Sequence, residues 1–155
     1  MGKCAAIEGN GKVMGVAEIE AGVKPLCEAL NLIPGTRTLW SCHGHLDWPS
    51  RPYVTFEAPQ DTAFKIHGLL GDGKSSGVLR CFLKYNWWLV ANFRDDGSMQ
   101  YTIEPNDYHF DCVQFSFWWR PTWKRWQVDD DLRWLALLIE EEVAREKRAS
   151  LGVGQ

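Results

Sequence analysis

Cys42-His43-Gly44-His45 and His109-Phe110-Asp111-Cys112 are two short runs of metal-donor side chains, a C-x2-H and its mirror H-x2-C. A tetrahedral zinc site takes four thiolate or imidazole ligands, and a short spacing lets one turn supply two of them. Cys42, His45, His109 and Cys112 are therefore the candidate ligands, and zinc is the metal that such donors suit. Asp47 and Asp111 are candidate substitutes in an open site that keeps a water on the metal. A second chemistry needs no metal. An imidazole beside a thiol lowers its pKa, so Cys42 with His43 or His45 also reads as a nucleophile and its base. The plain alternative is a buried thiol next to surface histidines, and whether the site is catalytic stays open.

The run Trp118-Trp119-Arg120-Pro121-Thr122-Trp123-Lys124-Arg125-Trp126 interleaves indoles with cations. Protein-interface hot spots and single-stranded nucleic-acid platforms both use that combination, through stacking and charge. Trp118, Arg120, Trp123, Lys124, Arg125 and Trp126 are the candidate binding residues, with RNA or a protein assembly as the partner. Packing is the rival account, because the run bridges the last strand and the long C-terminal helix. Gly68-x4-Gly73-Lys74-Ser75 has phosphate-loop spacing in the wrong setting: a helix leads in and a strand leads out, so no helix N-terminus is presented to a phosphate. No nucleotide is expected there. Cys81, between Leu79 and Leu83, reads as core; Cys4 and Cys27 carry no partner signal.

Composition bounds these readings. A chain of 155 residues, 45% hydrophobic, with nine tryptophans, reads as a single domain able to bury a core without staples. The net charge of −3 gives no general attraction for nucleic acid or an anionic membrane, so any basic patch is local. Five cysteines, with no positively charged leader before an apolar stretch and no uninterrupted membrane-length run, lead to the expectation of a cytoplasmic protein with unpaired cysteines.

The elements that must position the candidate residues follow from periodicity. Val16, Ile19, Val23, Leu26, Leu30 and Ile33 predict a helix over 16–33, bent or split by Pro25 and ended by Pro34-Gly35. Residues 36–42 predict a strand running into the Cys-His turn, and 53–57 a second one. Residues 61–70 predict an amphipathic helix with apolar Phe64, Ile66, Leu69 and Leu70, followed by a loop over 71–77. Strand patterning covers 79–85, then Leu89/Ala91/Phe93, the Asp95-Asp96-Gly97 turn, Met99/Tyr101/Ile103 and Val113/Phe115/Phe117. Trp87 and Trp88 fall on opposite faces of their strand. Residues 129–148 predict the longest helix, with a Leu132/Leu135/Leu138/Ile139/Val143 stripe, aspartates at its positive end, and a Glu141→Arg145 pair. The fold class expected is α+β: a largely antiparallel sheet flanked by three helices.

The segment Leu30-Asn31-Leu32-Ile33-Pro34-Gly35-Thr36-Arg37-Thr38-Leu39-Trp40-Ser41-Cys42-His43-Gly44-His45, with Pro52-Tyr53-Val54-Thr55-Phe56 after it, resembles a group of small uncharacterised bacterial proteins. In those, a helix ending in LN-x-x-P-G leads into T-x-x-S-C-x-G-H and then a strand. More distantly, Ser41, Cys42 and Gly44 are similar to the Ser-Ser-Cys-x-Gly-Arg motif of the wybutosine-synthesis tRNA methyltransferase family. His45 stands at that motif's arginine. Trp88-Leu89-Val90 lies where that family has Trp-Leu-Phe-Val. The resemblance spans about a third of the chain and implies an α+β unit with a functional turn at 41–45 and RNA-related chemistry. The leading expectation is thus a zinc-binding α+β protein with its site at residues 42–45. The alternative is a non-catalytic interaction or inhibitor module, from a mobile element, that binds a larger assembly through the Trp/Arg strip.

Overall fold

The computed structural model describes residues 2–3, 19–45, 50–70, 83–106, 110 and 123–152. Among the described residues five antiparallel strands form one sheet: β1 (Gly2–Lys3), β2 (Arg37–Cys42), β3 (Tyr53–Glu57), β4 (Trp87–Phe93) and β5 (Met99–Pro105), in the order β1-β2-β3-β5-β4. With α1 (Lys24–Asn31), α2 (Gln60–Leu70) and α3 (Arg125–Gly152), the architecture is the α+β one expected. No helix among the described residues is long and apolar enough to cross a membrane.

Register explains the core. Val54 pairs with Ile103 and Phe56 with Tyr101, so these four side chains share one face, and Leu89 and Ala91 of β4 continue it. The buried residues of all three helices join that same cluster: Leu26 and Leu30 from α1, Ala63 and Ile66 from α2, Leu132, Leu135 and Ile139 from α3. Each buried leucine contributes about 1.5–3 kcal/mol. The opposite face carries Trp40, Cys42, Tyr53, Thr55 and Thr102, with Thr55 and Thr102 hydroxyls 3.0 Å apart. On that face Glu57 pairs with Arg37 and Arg94, and the Arg94 guanidinium lies over the Trp40 ring.

Two elements differ from the periodicity reading. α1 begins at Lys24, not before it: Glu20 is irregular and 21–23 are a turn, so of the expected 16–33 helix only this part is helical among the described residues. The reason is Pro25, whose fixed φ and missing N–H suit the first helical turn and not its interior. Residues 83–85, expected to end a strand, are irregular, with a bend at Lys84 and Tyr85. Their N–H groups go to a side chain of α3: the wholly buried Asp131 accepts from Lys84 N at 2.7 Å, Tyr85 N at 2.9 Å and Trp87 Nε1 at 2.9 Å. Burial pushes the Asp131 carboxyl above its ordinary range, and the three donors pull the other way without cancelling it. α3 starts four residues earlier than its apolar stripe suggests, and Arg145 pairs with Glu142, not Glu141. All five stripe residues are buried. Trp87 is buried and Trp88 40% exposed, as the strand alternation requires.

The strand leading to the Cys-His turn is anchored at both ends. At its start, the Asn31 carboxamide donates to Thr38 Oγ1 at 3.0 Å and accepts from Thr38 N at 2.9 Å, tying the end of α1 to β2. Between Thr38 and Trp40 the β2–β3 register shifts, with Leu39 as the extra, buried residue. The bulge restores the alternation that carries Cys42 to the face of Tyr53.

Candidate functional site: the Cys42–His45 turn

β2 ends at Cys42, and the chain turns through Gly44, whose φ of +82° is one that side-chain-bearing residues rarely adopt. A Cβ there would also crowd Ser50 O and Pro52. The turn is closed by His45 N donating to Ser50 O at 3.2 Å. Cys42 is buried; its Sγ accepts from Gly44 N at 3.3 Å and lies 3.7 Å from Ser50 Oγ. Across the strand pair stands Tyr53, whose phenol is pushed above its usual 10 chiefly by burial and further by its electrostatic interaction with Cys42 and Glu20.

His43 points the other way. Its imidazole Nε2 is hydrogen-bonded to Asp129 Oδ1 in the first turns of α3, and its backbone N–H donates to Glu20 Oε2. Cys42 thus shares the face of Tyr53, while the His43 ring is engaged with Asp129 of α3. Gly22 lies against the same ring: a Cβ at Gly22 would fall 2.0 Å from His43 Nε2, so any larger residue there displaces the imidazole. His45 is turned toward the other oxygen of Glu20, with Nε2 3.9 Å from Oε1. One carboxylate thus touches two successive histidines of the turn, while the Glu20 carbonyl caps α1 by accepting from Val23 N and Lys24 N.

Arg125, at the start of α3, completes the enclosure. Its guanidinium donates to His43 O and to Gly44 O, each at 2.6 Å, and stacks on Trp123 at 5.2 Å. Trp123 is buried and stacks on Phe110 at 5.4 Å; Phe110 meets Tyr85 edge-on at 4.8 Å. The Tyr85 hydroxyl accepts from Lys124 N at 2.9 Å and donates to Gln127 at 2.8 Å, capping α3. Lys124 is exposed, and Trp126 is 56% exposed.

Of the residues expected from sequence, Cys42 and His45 both stand on the turn, Cys42 Sγ beside Ser50 and His45 toward Glu20. Trp123 and Arg125 pack against the turn, whereas Lys124 and Trp126 face outward. His109, Cys112, Trp118 and Arg120 lie outside the described residues, as do Asp47, Asp111, Cys81, the 71–77 loop and the 113–117 strand. Among the described residues no three His, Cys, Asp or Glu side chains are grouped to hold a metal ion. Periodicity gave no sign of Glu20 and Gly22, which lie outside the regular elements, and it assigned Asp129 to the helix dipole. Comparison with known protein families, curated proteins and solved structures yields no match.

Proposed function

We propose that the protein binds a transition metal, zinc by the character of its donors, through Cys42 and His45 of the turn together with His109 and Cys112. The supporting observation is the contact relay from Phe110 to Trp123 to Arg125 to the carbonyls of His43 and Gly44. Phe110 is the residue between His109 and Cys112 that the structure describes, and three successive contacts join it to the backbone of the turn that carries Cys42 and His45. The described residues supply two donors, so this reading needs the second pair to complete four. The construction of the turn also supports it. A connector does not require a half-buried arginine clasp, a glycine with positive φ and a glycine that admits an imidazole. Zinc bound there would stabilise the Cys42 thiolate and, in an open site, acidify a bound water. RNA is the substrate class to test first at such a site, on the distant resemblance of Ser41, Cys42 and Gly44 to the tRNA methyltransferase motif.

Elemental analysis of protein purified without chelator or histidine tag tests this. Stoichiometric zinc in the wild type, lost in Cys42→Ser/Cys112→Ser, is the expected result. A wild type that stays metal-free after reconstitution overturns it.

The interaction-module reading has one specific observation in its favour: Trp126 stands 56% exposed beside the clasp. Partner binding lost on Trp126→Ala and retained in Cys42→Ser would favour it.

A further inference from the structure

α2 covers the helix-side face of the sheet only in part. Where it crosses β4 and β5, a groove of about 320 Å³ is left open between Phe64, Ala63 and Asp61 on the helix and Leu89, Ala91 and Met99 on the strands. Register puts Leu89, Ala91 and Phe93 on one face of β4, opposite Ile103, Tyr101 and Met99, so this is the outer continuation of the core surface. Yet Phe64 is 75% and Phe93 77% exposed, and Met99 is 37% exposed. Two nearly bare phenylalanines flanking an apolar groove on a soluble face are characteristic of a binding surface.

Among the described residues, the acidic and basic side chains lining it are Asp61 and His67, and the formal charge close by is acidic. Asp61 lines the groove, and Asp95 and Asp96 sit in the turn that joins Phe93 to Met99. Ser98 hydrogen bonds hold the Asp96 carboxyl below its usual range, so it remains ionised. The nearby cations are engaged elsewhere: Arg94 with Glu57, and Lys65 with Glu146. An apolar floor with an acidic end complements a helix that presents apolar side chains at i, i+3/i+4 spacing next to lysine or arginine.

We propose that this groove is the docking site for a basic amphipathic helix of a partner protein, with Phe64 and Phe93 as the side chains that clasp it. The site is separate from the Cys42–His45 turn and does not depend on a metal there.

The probe is a helical leucine–lysine peptide, compared with its leucine–glutamate counterpart, titrated into isotopically labelled full-length protein. The expected result is saturable binding of the basic peptide, with shifts concentrated at Ala63, Leu89, Ala91 and Met99. Phe64→Ser or Phe93→Ser should weaken it about tenfold or more while the thermal unfolding curve is unchanged. These two variants keep every charge, so they separate groove binding from general attraction to an acidic chain. Asp61→Lys/Asp95→Lys should shift preference toward the acidic peptide, and Cys42→Ser should leave binding intact. Shifts spread over the surface, binding indifferent to Phe64→Ser and Phe93→Ser, or no binding each overturn the proposal. So does a dimer seen in sedimentation and abolished by Phe93→Ser, which would make a second copy of the chain the occupant.

Discussion

The guanidinium of Arg125 donates to the carbonyl oxygen of His43 at 2.6 Å, across 82 positions of sequence. Its second nitrogen takes the carbonyl of Gly44 at the same distance. Two backbone acceptors of one turn are therefore satisfied by one side chain in a fixed fork, an arrangement that lysine cannot reproduce. Hydrogen bonds to a charged donor contribute about 1.5–3 kcal/mol each. Arg125→Lys and Arg125→Ala should both lower the unfolding free energy measured in urea, the alanine more, by about 3–6 kcal/mol for the two bonds together. A loss within experimental error for Arg125→Ala would show that the clasp is not what holds the turn.

Gly22 gives a sharper local test. Because a methyl there would fall 2.0 Å from His43 Nε2, Gly22→Ala must displace the imidazole or the segment before α1. The expected cost is about 1–3 kcal/mol, the range of overpacked sites. Imidazole resonances of His43 should move away from the position they take when bonded to Asp129. An unchanged spectrum and unchanged stability would contradict the close approach.

Trp123 and Trp126 separate packing from recognition. Trp123 is 4% exposed and stacked on Phe110, so Trp123→Ala should cost about 3–5 kcal/mol in denaturant unfolding. Trp126→Ala, at an exposed position, should stay within about 0.5 kcal/mol of wild type. Comparable losses at both would mean that the exposed indole is also part of the fold.

Asp131 should leave a signature in the pH dependence of stability. Its folded-state pKa is raised above the ordinary carboxyl value by burial. The folded state then holds the proton more tightly than the unfolded chain does. The stability this proton linkage adds is complete below the unfolded pKa of about 3.9 and is lost as pH rises through the folded pKa. Subtracting the Asp131→Asn curve from the wild-type curve over the acidic range isolates that slope from those of the other carboxylates. A difference curve rising with pH through this window would mean that the three N–H donors outweigh the burial. Asp131→Ala, which strands three donors, should be the more damaging change at every pH.

Metal removal tests the turn by a different readout. A ligand that binds only the folded state stabilises it by RT ln(1 + [L]/Kd). Chelation should lower the melting temperature of the wild type and leave that of Cys42→Ser unmoved. Equal responses of the two proteins would place any bound metal elsewhere.

How much of this could be read in the sequence depends on how local the cause is. The alternation in Trp87–Phe93 and Met99–Pro105, and the stripe from Leu132 to Val143, are local patterns, and the elements follow them. Pro25 was legible as a break, but its role as a helix start depends on Glu20 capping the first turn. Lys84 and Tyr85 alternate like a strand; a carboxylate 46 and 47 positions away takes their N–H groups instead. Cys42 and His45 were recognisable by type. The residues that hold them in place, Glu20, Gly22, Asp129 and Arg125, come from two distant segments and share no spacing rule. Trp123 and Trp126 look alike in the sequence, and only the position of Phe110 makes one of them core.

The dependence of the turn on α3 has a consequence for biosynthesis. His43 meets its carboxylate partner 86 positions later, and Arg125 closes on the turn only once α3 has reached the sheet. Contacts of such separation form late, because a long loop must close before they return any energy. On the ribosome, Cys42 and His45 emerge seconds before residues 123–131 do, at about 5–20 residues per second. During that interval the thiol stands in an unclasped hairpin, open to oxidants and to any metal in the surroundings. The turn therefore takes its final, enclosed form only after synthesis, when α3 docks.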